Sequence, residues 1–69
     1  MSQTMEMKRL KEIGIETTNS NVVQYVILNL SAYGYKSIPV ISEIMKNQPD
    51  RVVRMYGMQT ITRIKLGSI

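Results

Sequence analysis

The chain has 69 residues, a net charge of +4 at pH 7, and neither cysteine nor histidine. A chain of this length forms one domain and buries only about 60% of the surface that its unfolded form exposes. The missing residue types exclude disulfides and the commonest kind of zinc site, which support many very small folds. We therefore expect a single domain over residues 1–69 that gains stability from self-association or from a larger partner protein.

Localisation is predicted from two stretches. Residues 1–14 carry a charge every few positions, unlike a signal peptide. Residues 17–35 are uncharged but contain several amides and hydroxyls, and their apolar part is too short to span a bilayer. We expect a cytoplasmic protein with no membrane contact.

The first of four predicted helices is short. Met7, Leu10 and Ile13 recur every three residues, which predicts a helix over residues 4–13. Gly14 is expected to end it in a left-handed conformation, with the next residue folding back onto the helix.

The second helix, over residues 21–33, is predicted to be the core helix. Thr18, Asn19 and Ser20 are good caps for its start. At about 100° per residue, its apolar side chains fall on two sides. One side holds Val22, Val23, Val26, Ile27, Leu30 and Tyr33, and the other holds Tyr25, Leu28 and Ala32. We expect neighbours on both faces. A strand over residues 22–30 is the alternative, because β-branched residues are frequent, although the run lacks alternation.

The third and fourth helices each begin at a predicted cap. Ser37 is expected to cap the third helix, with Pro39 in the first turn. Its buried stripe is Ile38, Ile41, Ile44 and Met45, and residues 47–49 end it. Asp50 is expected to cap a fourth helix over residues 51–65, followed by a tail over residues 66–69.

The fourth helix has two contrasting sides. Its apolar stripe is Val53, Tyr56, Gly57, Thr60, Ile61 and Ile64. Gly57 in the middle of this stripe costs about 1 kcal/mol relative to alanine, which predicts a closely packed neighbouring helix. The opposite side is basic and carries two methionines. We call this surface the basic arc, and it consists of Arg51, Arg54, Met55, Met58 and Lys65.

The basic arc is the predicted partner-binding site, because all of the positive surplus lies after Tyr35. A solvated face is an equally good interpretation of the charge alone. Among partners, an acidic protein is favoured over a nucleic acid, because exposed methionines suit an adaptable apolar contact and no aromatic residue lies among these cations for stacking on bases.

An internal repeat is predicted between the second and fourth helices. Displacing the chain pairs Val22 with Val53 and Tyr25 with Tyr56, and it also brings the two caps, residues 19 and 50, into register.

The repeat resembles the short HEAT-like repeats of the phycobilisome lyase type. In that pattern a helix opening on valine and arginine and ending near a glycine is followed by a helix opening on a proline. Residues 21–65 carry the resemblance, and the matching positions are Gly34, Ile38, Pro39, Ile41, Ile44, Val53 and Arg54. The resemblance implies an all-α array of antiparallel helical hairpins that serves as an interaction module, with one complete helical pair flanked by two half-pairs.

The alternative fold is a helix-turn-helix or winged helix that binds DNA. The third and fourth helices would then be the motif, with Arg51, Val52 and Arg54 facing the groove and residues 66–69 beginning a wing. The link before Asp50 lacks the glycine and the hydrophobic residue usual in such turns.

No catalytic or metal site is predicted. General acid–base and nucleophilic catalysis need a poised group, and the five carboxylates are not convincingly paired. The four glycines form no phosphate-binding pattern. We therefore expect a non-enzymatic protein without cofactors, acting as an accessory subunit or adaptor that docks on a larger protein or on itself.

Overall fold

The computed structural model describes residues 2–67, and this part of the chain is all-helical. It contains α1 (Ser2–Glu16), α2 (Ser20–Ser31), a short 3₁₀ helix (Gly34–Ser37), α3 (Ile38–Asn47) and α4 (Arg51–Leu66). The prediction of an all-α fold with four helices is confirmed, and the strand alternative over residues 22–30 is wrong.

Helix α2 packs mainly on α4 and α1, and α3 packs mainly on α1 and α4. Helix α2 lies beside α4 in one layer, and α1 lies beside α3 in the other. Contacts between successive helices join the two layers. This two-layer packing agrees with the predicted helical hairpins.

The core lies between the layers. Its members are buried and come from all four helices: Met7, Val23, Val26, Ile27, Leu30, Ile41, Ile44, Val53 and Ile64. The stripes of α3 and α4 were therefore predicted correctly, including half-buried Ile38 and Met45.

The predicted end of α1 is wrong. The helix continues through Gly14 to Glu16, and Gly14 is a buried helical residue. A Cβ added there would lie 2.9 Å from Ile44 Cδ1 and 3.3 Å from Val26 Cγ1. The glycine therefore permits a close approach of α1 to the core and does not turn the chain.

The start of α2 was predicted correctly and its end was not. Asn19 Oδ1 accepts hydrogen bonds from the backbone N–H groups of Asn21 and Val22. The helix ends at Ser31, before the 3₁₀ helix that begins at Gly34 with a φ of 68°.

Ser37 is not a side-chain cap for α3. Its hydroxyl is fully buried and donates to the carbonyl oxygen of Gly34 at 2.7 Å. The bond stays within the 3₁₀ turn, and this turn leads directly into α3.

Helix α2 is covered on one side only, which corrects the expectation of neighbours on both faces. Tyr25 is 69% exposed and Leu28 is 54% exposed. The buried side of α2 is also narrower than predicted, because Val22 is 36% exposed and Tyr33 is half-buried.

Helices α3 and α4 meet at Gly57, as predicted. A Cβ at this position would lie 2.5 Å from Met45 Sδ and 2.7 Å from Met45 Cγ. The missing side chain therefore makes room for Met45.

Gln48 joins α1 to the link between α3 and α4. Its side chain is 8% exposed, and Nε2 donates to the carbonyl oxygens of Gly14 at 2.6 Å, Thr17 at 3.1 Å and Ile15 at 3.4 Å. The last carbonyls of a helix have no partner within the helix, so Gln48 closes the end of α1 from outside.

Among residues 2–67, no helix combines the length and the apolar character needed to cross a membrane.

We predict that Gly57→Leu destabilises the protein by about 1–3 kcal/mol, because the new side chain overpacks the contact with Met45. Combining it with Met45→Ala should restore part of that loss, with a coupling energy of at least about 0.5 kcal/mol. Urea unfolding of the two single variants and the double variant measures the cycle. Additive effects would contradict the close contact.

We predict that Gln48→Met costs about 1–3 kcal/mol, because buried carbonyl oxygens lose their donor. The free energy of unfolding of the Gln48→Glu variant should depend on pH. Burial and the facing carbonyl oxygens raise the pKa of the introduced carboxyl in the folded state. The Gln48→Glu protein therefore retains its stability below about pH 4 and loses it as the pH rises through the pKa that the introduced carboxyl has in the folded state. Thermal unfolding across this range tests it, and a pH-independent loss would be the contrary result.

Candidate functional site

The candidate site is the outer side of α4, and both ends of this helix are fixed locally. Asp50 Oδ1 accepts from the backbone N–H of Val52 at 2.8 Å and of Val53 at 3.4 Å. At the other end, Gly67 adopts a left-handed conformation with a φ of 72° and closes the helix. The predicted cap is confirmed, and Leu66 belongs to the helix and not to a tail or wing. The remaining proposed tail, residues 68–69, lies outside the described residues.

The buried stripe of α4 fixes this helix so that the basic arc faces solvent. Val53, Gly57, Thr60 and Ile64 are buried against α2 and α3. Thr60 satisfies its buried hydroxyl by donating to the carbonyl oxygen of Tyr56 at 2.8 Å. A helix fixed along one side presents the residues of its opposite side to solvent.

All five residues of the basic arc are exposed, and they lie on one side of α4. Arg51, Arg54 and Lys65 are exposed, Met55 is 55% exposed and Met58 is 62% exposed. At about 100° per residue, the five positions fall within an arc of about 100°. The structure therefore brings together the residues that the sequence predicted as one surface.

Along the helix axis, the methionines lie between the cations. Arg54 and Lys65 are about 16 Å apart at the helical rise of about 1.5 Å per residue. Met55 and Met58 occupy the interval near Arg54. The surface therefore offers an apolar centre with a cation at each end.

One hydrogen bond ties the far end of the arc to the rest of the fold. The Tyr35 hydroxyl donates to the backbone carbonyl oxygen of Lys65 at 3.0 Å. It satisfies a carbonyl of the last turn of α4 and fixes the backbone that carries the Lys65 side chain.

The two acidic residues of the second half of the chain have partners that are not members of the arc, although Asp50 directly precedes Arg51. Glu43 forms an ion pair with Lys11 of α1, with 3.6 Å between Oε2 and Nζ. The carboxylate of Asp50 is occupied at the cap of α4. Helix α4 itself contains no acidic residue, so the arc is a surface of one sign.

A second basic cluster was not predicted from the sequence. Lys8 and Lys11 of α1 and Lys36 of the 3₁₀ helix line a shallow cavity of about 400 Å³ together with Met7 and Val40. The local sequence gives no signal for it, because the lysines meet only when α1 packs beside α3.

Acidic side chains do not combine into a metal site in the described part of the chain, where no three of them lie close enough to hold an ion.

Comparison of the chain with protein-family models, with curated proteins and with solved structures gives no match.

We predict that Arg54→Glu and Met58→Asp each change the free energy of unfolding by no more than about 0.5 kcal/mol, because both side chains are exposed and lie off the buried stripe. Val53→Ala is the contrasting control and should destabilise the protein by about 1–3 kcal/mol, because it leaves a cavity in the core. Circular dichroism during urea unfolding measures all three. A large loss of unfolding free energy in Arg54→Glu would show that the basic arc stabilises the fold, and it would contradict this prediction.

Proposed function

We propose that this protein is a non-enzymatic, cytoplasmic interaction module that docks through the basic arc on an acidic surface of a larger protein. The observation that carries the proposal is the joint exposure of three cations and two methionines on one side of α4. Exposed cations attract an anionic partner and accelerate its association. Exposed methionines adapt their shape to an apolar partner surface.

The predicted internal repeat supports the same surface. In its register, Arg54 and Met58 of α4 correspond to Val23 and Ile27 of α2. Those two residues of α2 are fully buried. Two positions of the basic arc thus correspond to positions that are covered in α2, which supports a partner at this part of the arc.

The HEAT-like resemblance is part of this proposal. The two-layer packing of α2 beside α4 and of α1 beside α3 is compatible with an array of helical hairpins. Repeats of that kind stack on their neighbours and present extended surfaces for binding, which suits an accessory subunit.

A DNA-binding helix-turn-helix is the second candidate function, and one observation favours it. Helices α3 and α4 are joined by only three residues and pack against each other, and Arg51, Val52 and Arg54 are exposed at the start of α4. The Asp50 carboxylate lies at that same helix end and disfavours a phosphate there.

The docking proposal predicts that Arg54→Glu weakens binding of the acidic partner by about 1–3 kcal/mol, because a cation facing the partner becomes a like charge. Met58→Asp should weaken it comparably. The matched control is Lys46→Glu, which makes the same charge change on the exposed side of α3 and should leave the affinity within about twofold. The protein that copurifies with the chain after nuclease treatment serves as the partner in a calorimetric titration. Equal losses for Arg54→Glu and Lys46→Glu would contradict docking at the arc.

A duplex titration at low and moderate salt separates the two functions. DNA binding by the arc would weaken by nearly one log unit per log unit of salt for each phosphate neutralised. Tight, salt-sensitive binding abolished by Arg54→Glu would favour the helix-turn-helix, and no binding at low salt would exclude it.

A further inference from the structure

The outer face of α2 is an apolar surface that no other helix of residues 2–67 covers. Tyr25 and Leu28 are 69% and 54% exposed, although α2 supplies more buried core residues than any other helix. We call this surface the α2 face and define it as Asn21, Tyr25, Leu28 and Ala32, all of which are exposed.

The four positions of the α2 face are spaced by four, three and four residues. This is the spacing with which one helix packs along another in a two-stranded coiled coil. Ala32 keeps a right-handed helical conformation with a φ of −64° and a ψ of −19°, so the stripe continues to the end of the helix. Asn21 is its one polar member, and a single asparagine in such a stripe fixes the register of the two helices.

Polar groups next to the α2 face already have partners within the helix. The Asn29 side-chain amide donates to the carbonyl oxygen of Tyr25 at 2.8 Å. The Ser31 hydroxyl donates to the carbonyl oxygen of Leu28. Covering the face therefore leaves neither of these donors without an acceptor.

The absence of charged residues from the α2 face indicates which partner covers it. Residues 17–35 contain no charged side chain, so the face has nothing with which to attract a charged partner. A two-fold contact places each residue of a surface opposite the same surface of the other chain, and like charges in it repel. The residues of the α2 face itself meet their own copy without any such pair, whereas the basic arc would set arginine against arginine.

We propose that a second copy of this chain covers the α2 face, with the two α2 helices packed on each other about a two-fold axis. The contact uses a different helix from the proposed docking surface and does not depend on it. Three helical turns per chain make a small interface, so the dimer is weak and its dissociation constant is in the micromolar range.

Sedimentation of the full chain at about 1 to 100 µM, which brackets such a dissociation constant, tests the proposal. The wild-type protein should pass from monomer to dimer over this range. Leu28→Asp should remain monomeric at the highest concentration with unchanged helix content. Met5→Asp is the matched control, because it places the same charge at an exposed apolar residue of α1, outside the α2 face and the basic arc, and it should dimerise like the wild type. A wild-type protein that stays monomeric throughout would overturn the proposal, and so would a Leu28→Asp variant that dimerises normally.

Cysteine cross-linking gives an independent test that does not add a charge. The chain has no cysteine, so a single Leu28→Cys substitution provides the only thiol. Mild oxidation should convert this variant to a covalent dimer at least tenfold faster than Lys46→Cys, whose thiol would lie on α3. Equal rates for the two variants would contradict contact through the α2 face.

The same variants distinguish this proposal from the docking proposal. Leu28→Asp should abolish the dimer and retain the affinity of each chain for the acidic partner, while Arg54→Glu should do the reverse. Loss of the dimer in Arg54→Glu would place the self-contact on the basic arc and overturn the α2 assignment.

Discussion

The hydrogen bonds of the Gln48 side chain determine how the first helix joins the other three. A helix ends with carbonyl oxygens that have no partner within it, and burying them without a donor is costly. One amide group reaches the carbonyl oxygens of Gly14, Ile15 and Thr17. The end of α1 can therefore be buried next to the link between α3 and α4. This position lets Gly14 approach Ile44 and Val26, and the core closes over four helices instead of three.

Local rules predicted those parts of the fold that depend on neighbouring residues in the chain. Asn19 and Asp50 cap their helices as their side-chain chemistry requires. The stripes of α3 and α4 follow from helical periodicity. Gly57 indicated a close helix because an internal glycine weakens a helix, and this cost is expected where a neighbouring helix needs the space.

Features that depend on distant residues were not predictable in the same way. Gly14 has the pattern of a helix end, but the space it leaves for Ile44 makes it an interior residue. Gln48 lies in a polar link and gives no sign of the three acceptors it meets at the end of α1. The basic arc was predictable as a surface because all its residues lie on one helix, whereas the cluster of Lys8, Lys11 and Lys36 requires α1 and the 3₁₀ helix to come together.

The order of contacts along the chain bears on how quickly the protein reaches its native state. Most contacts join residues fewer than 12 positions apart, within one helix or between successive helices, although α2 also packs on the more distant α4. Proteins with such local contacts close short loops before gaining packing energy, and they fold in microseconds to milliseconds. The uncharged α2 segment, which would be prone to aggregate if it stayed unfolded, is therefore covered on its inner side soon after collapse. Rapid folding gives this apolar helix a protection that its own sequence, without a single charge, does not supply.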